Sequence, residues 1–196
     1  TTPYGQVVSK PRIERVIKEI YGFSDYHKRL ETVKVFNLDQ EKSKLPFRKG
    51  LALMPAKFGI SFNKPSFNQA GALVHVYSDG SVRLNHGGTE MGQGLFIKVA
   101  QVVAECFKIP LEQIHITSTN TAEVPNTSAT AASSGSDLNG MAAWDAASKI
   151  KNRMINHVSQ LFQKQKSEIA FENGRIIAGN KSLLFSELAH SCWENR

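Results

Sequence analysis

Apolar residues recur at three- and four-residue steps in several segments, and each such segment predicts a helix. Ile13, Val16, Ile17 and Ile20 mark the first, over residues 11–22. A more polar pattern over 24–42 predicts a second, with Ser24 as its cap. Leu95, Val99, Val102, Val103 and Cys106 share one helical face, which Pro110 closes. Ala143, Ala147, Ile150, Met154, Val158 and Leu161 keep register over a long helix, roughly 137–165, and Phe185 to Trp193 predicts a last one. Shorter apolar stretches predict strands: Leu51 to Ile60, Ala70 to Tyr77, Val82 to Asn85 and Ile114 to Thr117. Ser78-Asp79-Gly80-Ser81 is a hairpin turn between two of these. Asn173-Gly174 turns another hairpin, from Ile169–Phe171 to Arg175–Ile177. Hairpins interleaved with helices predict an α+β (mixed α/β) fold.

Two runs of small or polar residues interrupt this pattern, each just before a helical segment. They are His86-Gly87-Gly88-Thr89-Glu90-Met91-Gly92-Gln93-Gly94 and Thr130-Ala131-Ala132-Ser133-Ser134-Gly135-Ser136. Without large side chains, a ligand can approach the backbone closely. A glycine turn entering a helix also offers free N–H groups and a positive dipole end, which suits phosphate. Two such loops predict a clamp for one phosphorylated cofactor. Two readings of Gly92-Gln93-Gly94 stand open. The Gln93 amide and nearby N–H groups hold an oxo or phosphate group, or the glycines merely serve a strand-to-helix turn. Neither a G-x-G-x-x-G fingerprint nor a P-loop is present. Ser136 is placed to cap a helix starting at Asp137. Residues 118–136 form a loop long enough to be functional. Its small polar residues predict disorder in the absence of ligand.

The 196 residues suffice for a sizeable core, with 41% apolar. The net charge of +7 is spread along the chain without a block of like charge, which argues against a nucleic-acid face. The two cysteines, Cys106 and Cys192, form no disulfide framework or zinc spacing, and both are expected as reduced core residues. No targeting segment is visible, and no apolar run approaches the ~20 residues of a membrane span. A cytoplasmic location is the expectation. The chain starts at Thr1 without methionine and stops inside a predicted helix, so it reads as a piece of a longer protein. His86 and Glu90 are too few for a metal site. His27, His157 and His190 lie in predicted helices without evident partners, and His75 and His115 lie in strands. Phe58 and Phe62 read as core aromatics. No Ser-His-Asp or Cys-His arrangement and no marked general base is evident.

The segments Lys57–Phe62, Asn68–Tyr77, His86–Gly94 and Val124–Ser133 together resemble one family. They resemble the molybdopterin-binding region of molybdenum hydroxylases of the xanthine dehydrogenase and aldehyde oxidase family. The resemblance covers nearly the whole chain and is strongest from 47 to 141. It implies a helical segment over about 1–46 and a cofactor-loop core over about 47–196, both parts of one molybdopterin-binding domain. It implies that Met91, Gly92 and Gln93 touch the pterin and its phosphate. Thr130, Ala131, Ala132 and Ser133 would lie along the cofactor, with Ala132 nearest the molybdenum and no residue ligating it directly. Phe62 would stack on a flat substrate, with Asn63 beside it. The implied parent activity is oxidation of hypoxanthine and xanthine to urate, with oxygen from water; an aldehyde oxidase-like hydroxylase and a non-redox binding module of the same fold are the alternatives. Electrons would leave through 2Fe-2S clusters and FAD held by other domains or subunits. Two departures stand out: Asn63 replaces a substrate-binding threonine, and Gly135 replaces a serine. The chain also lacks any Gly-Glu dipeptide, the family's setting for its proton-abstracting glutamate. The resemblance therefore implies a partner for the purine and for the remaining molybdenum-domain segments, inactive by itself.

Overall fold

The computed structural model describes residue 5 and residues 7–56, 59–123 and 126–195. The sequence expectations for Lys57, Phe58, Val124 and Pro125 lie outside the described residues. The chain divides into two units, residues 1–58 and residues 59–196.

The first unit holds α1 (Ile13–Phe23) and α2 (Tyr26–Lys42). Both follow the predicted periodicity, but the apolar face of α1 is uncovered in this unit. Val16 is 46% exposed, and no residue of α1 is buried. Ser24 does not cap α2. Its hydroxyl turns back and donates to the Ile20 carbonyl at 2.6 Å, while Asp25 takes the left-handed conformation between the helices. Asn37 holds the following segment by exchanging two 2.9 Å bonds with the backbone of Lys49. The strand predicted over Leu51 to Ile60 is absent among its described residues. An extended run needs a neighbour for its backbone groups, and Pro55 removes one donor.

The second unit is built on a three-stranded sheet. β1 (Ala72–Val76) and β2 (Val82–His86) form the predicted hairpin, with Ala72 opposite His86. β3 (Ile114–Ile116) lies parallel to β2, with Val82 opposite Ile114. Parallel neighbours need a crossover, and α3 (Leu95–Phe107) supplies it. This topology brings the two small-residue loops together. Residues 87–94 leave the carboxyl end of β2 and enter α3. Residues 117–134 leave the carboxyl end of β3 and enter α4 (Gly135–Phe162). In open sheets with parallel strands that end of the sheet is where ligands bind.

The core lies between this sheet and the two helices. Val82 and Leu84 of β2, Val99 and Val103 of α3, and Ala143 and Ala147 of α4 are each fully buried. Burial of such a valine or leucine stabilises by about 1.5–3 kcal/mol, so this packing fixes the loops' anchor points. α4 starts two residues earlier than predicted, and Ser134 rather than Ser136 occupies the position before it. The Ser134 hydroxyl donates to the Ala131 carbonyl at 3.0 Å, so it braces the loop rather than capping the helix.

A second sheet follows: β4 (Ile169–Glu172), β5 (Arg175–Ala178) and β6 (Lys181–Leu184), all antiparallel neighbours in order. β6 was not expected, because Lys-Ser-Leu-Leu shows no alternation. α5 (Phe185–Glu194) ends the chain, with the Phe185 ring 5.3 Å from Phe107. The histidines of the helices have partners after all. His157 bonds the Ser191 hydroxyl at 2.8 Å, His190 faces Glu194 at 3.4 Å, and His27 packs on Tyr21 at 5.3 Å. Cys106 is buried and free, while Cys192 is free but only half-buried. Among the described residues no helix is long and apolar enough to cross a membrane.

Candidate functional site

The first loop begins inside the core. His86, Gly87 and Gly88 are all buried. His86 Nδ1 accepts the Gly88 N–H at 3.1 Å, which places the proton on Nε2. Nε2 is buried without a hydrogen-bond partner, and the ring packs edge-on against Phe96 at 5.2 Å. Burial pushes the His86 pKa down and so favours the neutral imidazole. The two glycines are needed for space. A Cβ on Gly87 would come within 2.0 Å of Thr127 Cγ2, and one on Gly88 within 2.6 Å of Leu95 Cδ2. Thr119 closes the turn from the other side, its hydroxyl lying 2.9 Å from the Gly88 carbonyl.

Beyond Gly88 the loop supplies its own polar partners. Glu90 Oε1 accepts the N–H groups of Gly92 and Gly94 at 2.9 and 3.0 Å, and Oε2 accepts that of Phe96 at 3.0 Å. These bonds, that from Phe96 foremost, hold the Glu90 pKa below the usual carboxylate range. Gln93 spans the loop, its Oε1 accepting from Met91 N at 2.5 Å and its Nε2 donating to Thr89 O at 2.8 Å. The expectation of free backbone amides around Gln93 is therefore corrected. The N–H groups of Met91, Gly92 and Gly94 are all engaged within the loop. Lys98, one turn into α3, donates to the Gln93 carbonyl at 3.0 Å.

The second loop is tied to the first and to the segment around Phe62. Thr89 N donates to Thr130 Oγ1 at 2.8 Å, and Ser61 N donates to the Ala132 carbonyl at 2.9 Å. Asn68 clamps Phe62 by exchanging bonds of 2.9 and 2.8 Å with its backbone. Ser128 N donates to the Gln69 carbonyl at 3.1 Å. Among the described residues of 118–136, hydroxyls and carbonyls tie Thr119, Ser128, Thr130 and Ala132 to their neighbours. Ala132 and Ser133 both have φ of +54°, a strained pair of left-handed residues.

Between the loops lies a cavity of about 410 Å³, lined by Met91, Gln93, Leu95, Lys98, Thr130, Ala131, Ser133, Gly135 and Ser136. That volume is in the range of small-molecule sites. Five of the expected cofactor residues meet here: Met91, Gln93, Thr130, Ala131 and Ser133. Gly92 and Ala132 shape the loops without lining the cavity. Phe62 and Asn63 do not line it. Phe62 is half-buried, its ring edge-on to Phe67 at 6.2 Å, and Asn63 is exposed. The sequence reading missed Lys98 and the role of Glu90. Lys98 was legible as the cation five residues beyond Gln93, on the exposed side of α3. Hydroxyls, an ammonium and small side chains around one cavity fit an anionic group joined to a hydrogen-bonding heterocycle. The lining holds no carboxylate and no histidine. Among the described residues no group of three or more His, Cys, Asp or Glu is placed to hold a metal ion.

Comparison with known proteins gives the family. The profile of the molybdopterin cofactor-binding domain matches residues 20–196. The chain belongs to the molybdopterin cofactor-binding domain family. It is 48% identical over 153 residues to a xanthine dehydrogenase of Dictyostelium discoideum, covering 78% of this chain and 11% of that protein. It is 46% identical over 165 residues to a xanthine dehydrogenase/oxidase of Rattus norvegicus, covering 84% of this chain and 12% of the relative. The chain thus spans about a ninth of the length of these relatives. Among solved structures it resembles the CO dehydrogenase of Oligotropha carboxidovorans, with a TM-score of 0.71 and 19% identity over 91% of this chain and 24% of the other. It also resembles the quinoline 2-oxidoreductase of Pseudomonas putida 86, with a TM-score of 0.60 and 21% identity, over 63% of this chain and 16% of the other. At these identities the likeness shows the fold.

Proposed function

We propose that the domain forms one wall of the molybdopterin and substrate site in a purine-oxidising molybdenum hydroxylase of the xanthine dehydrogenase type, located in the cytoplasm. One observation carries this reading: Met91, Gln93, Thr130, Ala131 and Ser133 converge on one cavity at the carboxyl ends of two parallel strands. The identity of 46–48% to named xanthine dehydrogenases supports the purine assignment. The bound cofactor supplies the two-electron redox centre at which a C–H bond and water become C–OH, two protons and two electrons. Other domains or subunits would hold the 2Fe-2S clusters and FAD that accept those electrons.

The chain's own part is binding and orientation. Lys98 would meet the negative charge of the cofactor, and the Thr130, Ser133 and Ser136 hydroxyls would satisfy its polar edge. Met91 and Gln93 form the opposing lip, with Gly92 giving the loop its turn. Ala131, in the lining, and Ala132, beside it in the loop, would leave room for the reactive end of a bound cofactor to approach the backbone. Phe62 offers a phenyl face to a flat purine, and Asn63 can donate and accept at its edge. The base that takes the substrate's proton comes from outside this cavity wall.

The test is molybdenum content and oxidised-pterin fluorescence of the full-length protein and of this 196-residue chain. Both signals in the full-length protein, neither in the chain, and turnover of xanthine faster than benzaldehyde are expected. Absence of both from cofactor-replete full-length protein overturns the reading. Faster turnover of benzaldehyde overturns the purine assignment.

A further inference from the structure

The loop that enters α3 carries its own anion. A helix start normally leaves N–H groups unpaired, and these attract phosphate. Here the Glu90 carboxylate fills that position. It accepts from Gly92, Gly94 and Phe96 at 2.9–3.0 Å and spans the last turn of the loop and the first of the helix. Gly92 and Gly94 have φ of +92° and +74°, a backbone path that brings their N–H groups onto one carboxylate. Gln93 then locks the other side of the loop through Met91 N and Thr89 O. The nearest cation lining the cavity is Lys98, held on the Gln93 carbonyl at 3.0 Å. A second anion at the helix start would face an occupied position and like charge.

We propose that Glu90 is the positioning residue of this loop: its carboxylate sets the backbone from Met91 to Gly94, occupies the helix start, and so directs a cofactor's phosphate to Lys98 and the Thr130–Ser136 loop. This rests on the molybdopterin reading for the identity of the anion. The arrangement of the loop itself does not depend on it. Glu90 touches neither cofactor nor substrate. It acts through the amides it holds and through Gln93, whose carbonyl orients Lys98.

The experiment is residue-resolved amide exchange on the 196-residue chain, with E90A, E90Q and K98Q, with and without inorganic phosphate. In E90A the amides of Gly92, Gly94 and Phe96 exchange faster by about tenfold or more, the factor expected when hydrogen bonds to a charged group are lost. Phosphate restores their protection in E90A and leaves the wild-type amides unchanged. Wild-type protection at these three amides also falls on acidification below the usual carboxylate range, while E90Q shows no such step. That pH response separates positioning by the carboxylate from a general effect on folding, and E90Q serves if E90A does not fold. Unchanged exchange in both variants overturns the proposal, as does phosphate protecting the wild-type amides. In the holoenzyme, K98Q and E90Q each retain less pterin than wild type, read as oxidised-pterin fluorescence per chain. Full retention in K98Q removes Lys98 from the proposal. A wild-type holoenzyme without pterin would sink the cofactor reading while leaving the exchange result to decide the role of Glu90.

Discussion

The Thr89 N–H donates to Thr130 Oγ1 at 2.8 Å across 41 residues of sequence, joining the two small-residue loops. It holds the walls of the cavity at a fixed spacing, because each loop is anchored behind it by a helix. Thr130→Val keeps the shape of the side chain and removes the acceptor. The expected loss of stability is about 1 kcal/mol, the ordinary net worth of one such bond. Thr130→Ser retains the oxygen and is expected to behave as wild type. Chemical denaturation of the three proteins checks this. Equal midpoints for valine and wild type would remove the bond from the account.

Two glycines of the first loop are required for different reasons. Gly88 has no room: a Cβ would meet Leu95 Cδ2 at 2.6 Å and Asn139 Nδ2 at 2.8 Å. Gly92 has open space around it but a φ of +92°. Gly88→Ala is expected to cost about 1–3 kcal/mol through overpacking of a buried turn. Gly92→Ala is expected to cost about 1–2 kcal/mol through backbone strain. A second substitution tells the two apart. Leu95→Ala, which itself destabilises, should make Gly88→Ala less costly and leave the cost of Gly92→Ala unchanged. Identical costs in both backgrounds would contradict the packing argument.

Much of this arrangement was legible in the chain. Leu95, Val99 and Val103 announced α3, and Ser78–Ser81 announced the hairpin, because buried periodicity and turn chemistry are local signals. The small-residue runs before α3 and α4 marked the loops that converge. What could not be read was pairing at a distance. Nothing local shows that β3 lies parallel to β2, which is what sets the loops side by side. Glu90 stood out only beside His86, as one of too few ligands for a metal, because its three donors gather only after Gly92 and Gly94 take positive φ. The described residues of Leu51 to Ile60 form no strand for the converse reason: strand composition without a neighbouring strand is not a strand. The apolar stripe of α1 forecast the helix correctly but not its burial, since periodicity records a face and not what covers it.

Ala132 and Ser133 pay a conformational cost at the heart of the second loop, with φ of +54° at both. A left-handed residue other than glycine costs about 1–2 kcal/mol, and glycine gives back about 0.5–1 kcal/mol through its freer unfolded state. Ala132→Gly and Ser133→Gly are therefore each expected to be neutral or stabilising by up to about 1 kcal/mol. Thermal unfolding measures this. A loss above about 1 kcal/mol for either would show that the methyl or hydroxymethyl group packs more tightly than its strain costs.

His86 gives the fold a dependence on pH in a window of its own. The ring is 1% exposed and its pKa is pushed down by burial. The unfolded chain takes up a proton near pH 6.5, the ordinary histidine value, while the folded chain does not. Unfolding therefore binds a proton below that pH, and stability falls as pH drops through about 6.5 toward the lower folded value. Below the folded value the loss levels off. The slope in this window is at most about 1.4 kcal/mol per pH unit for one group. The other groups shifted downward here, Asp79, Glu90 and Glu168, are carboxylates with lowered pKa, and their effect comes at lower pH. His86→Asn keeps an oxygen for the Gly88 N–H and removes the titrating ring. It costs stability at every pH through lost packing on Phe96, so the informative quantity is the slope. Unfolding free energies between pH 7 and 5 should fall in the wild type and run flat in His86→Asn. Parallel curves would mean that the ring takes up its proton alike in the folded and the unfolded chain, so that burial does not hold it neutral.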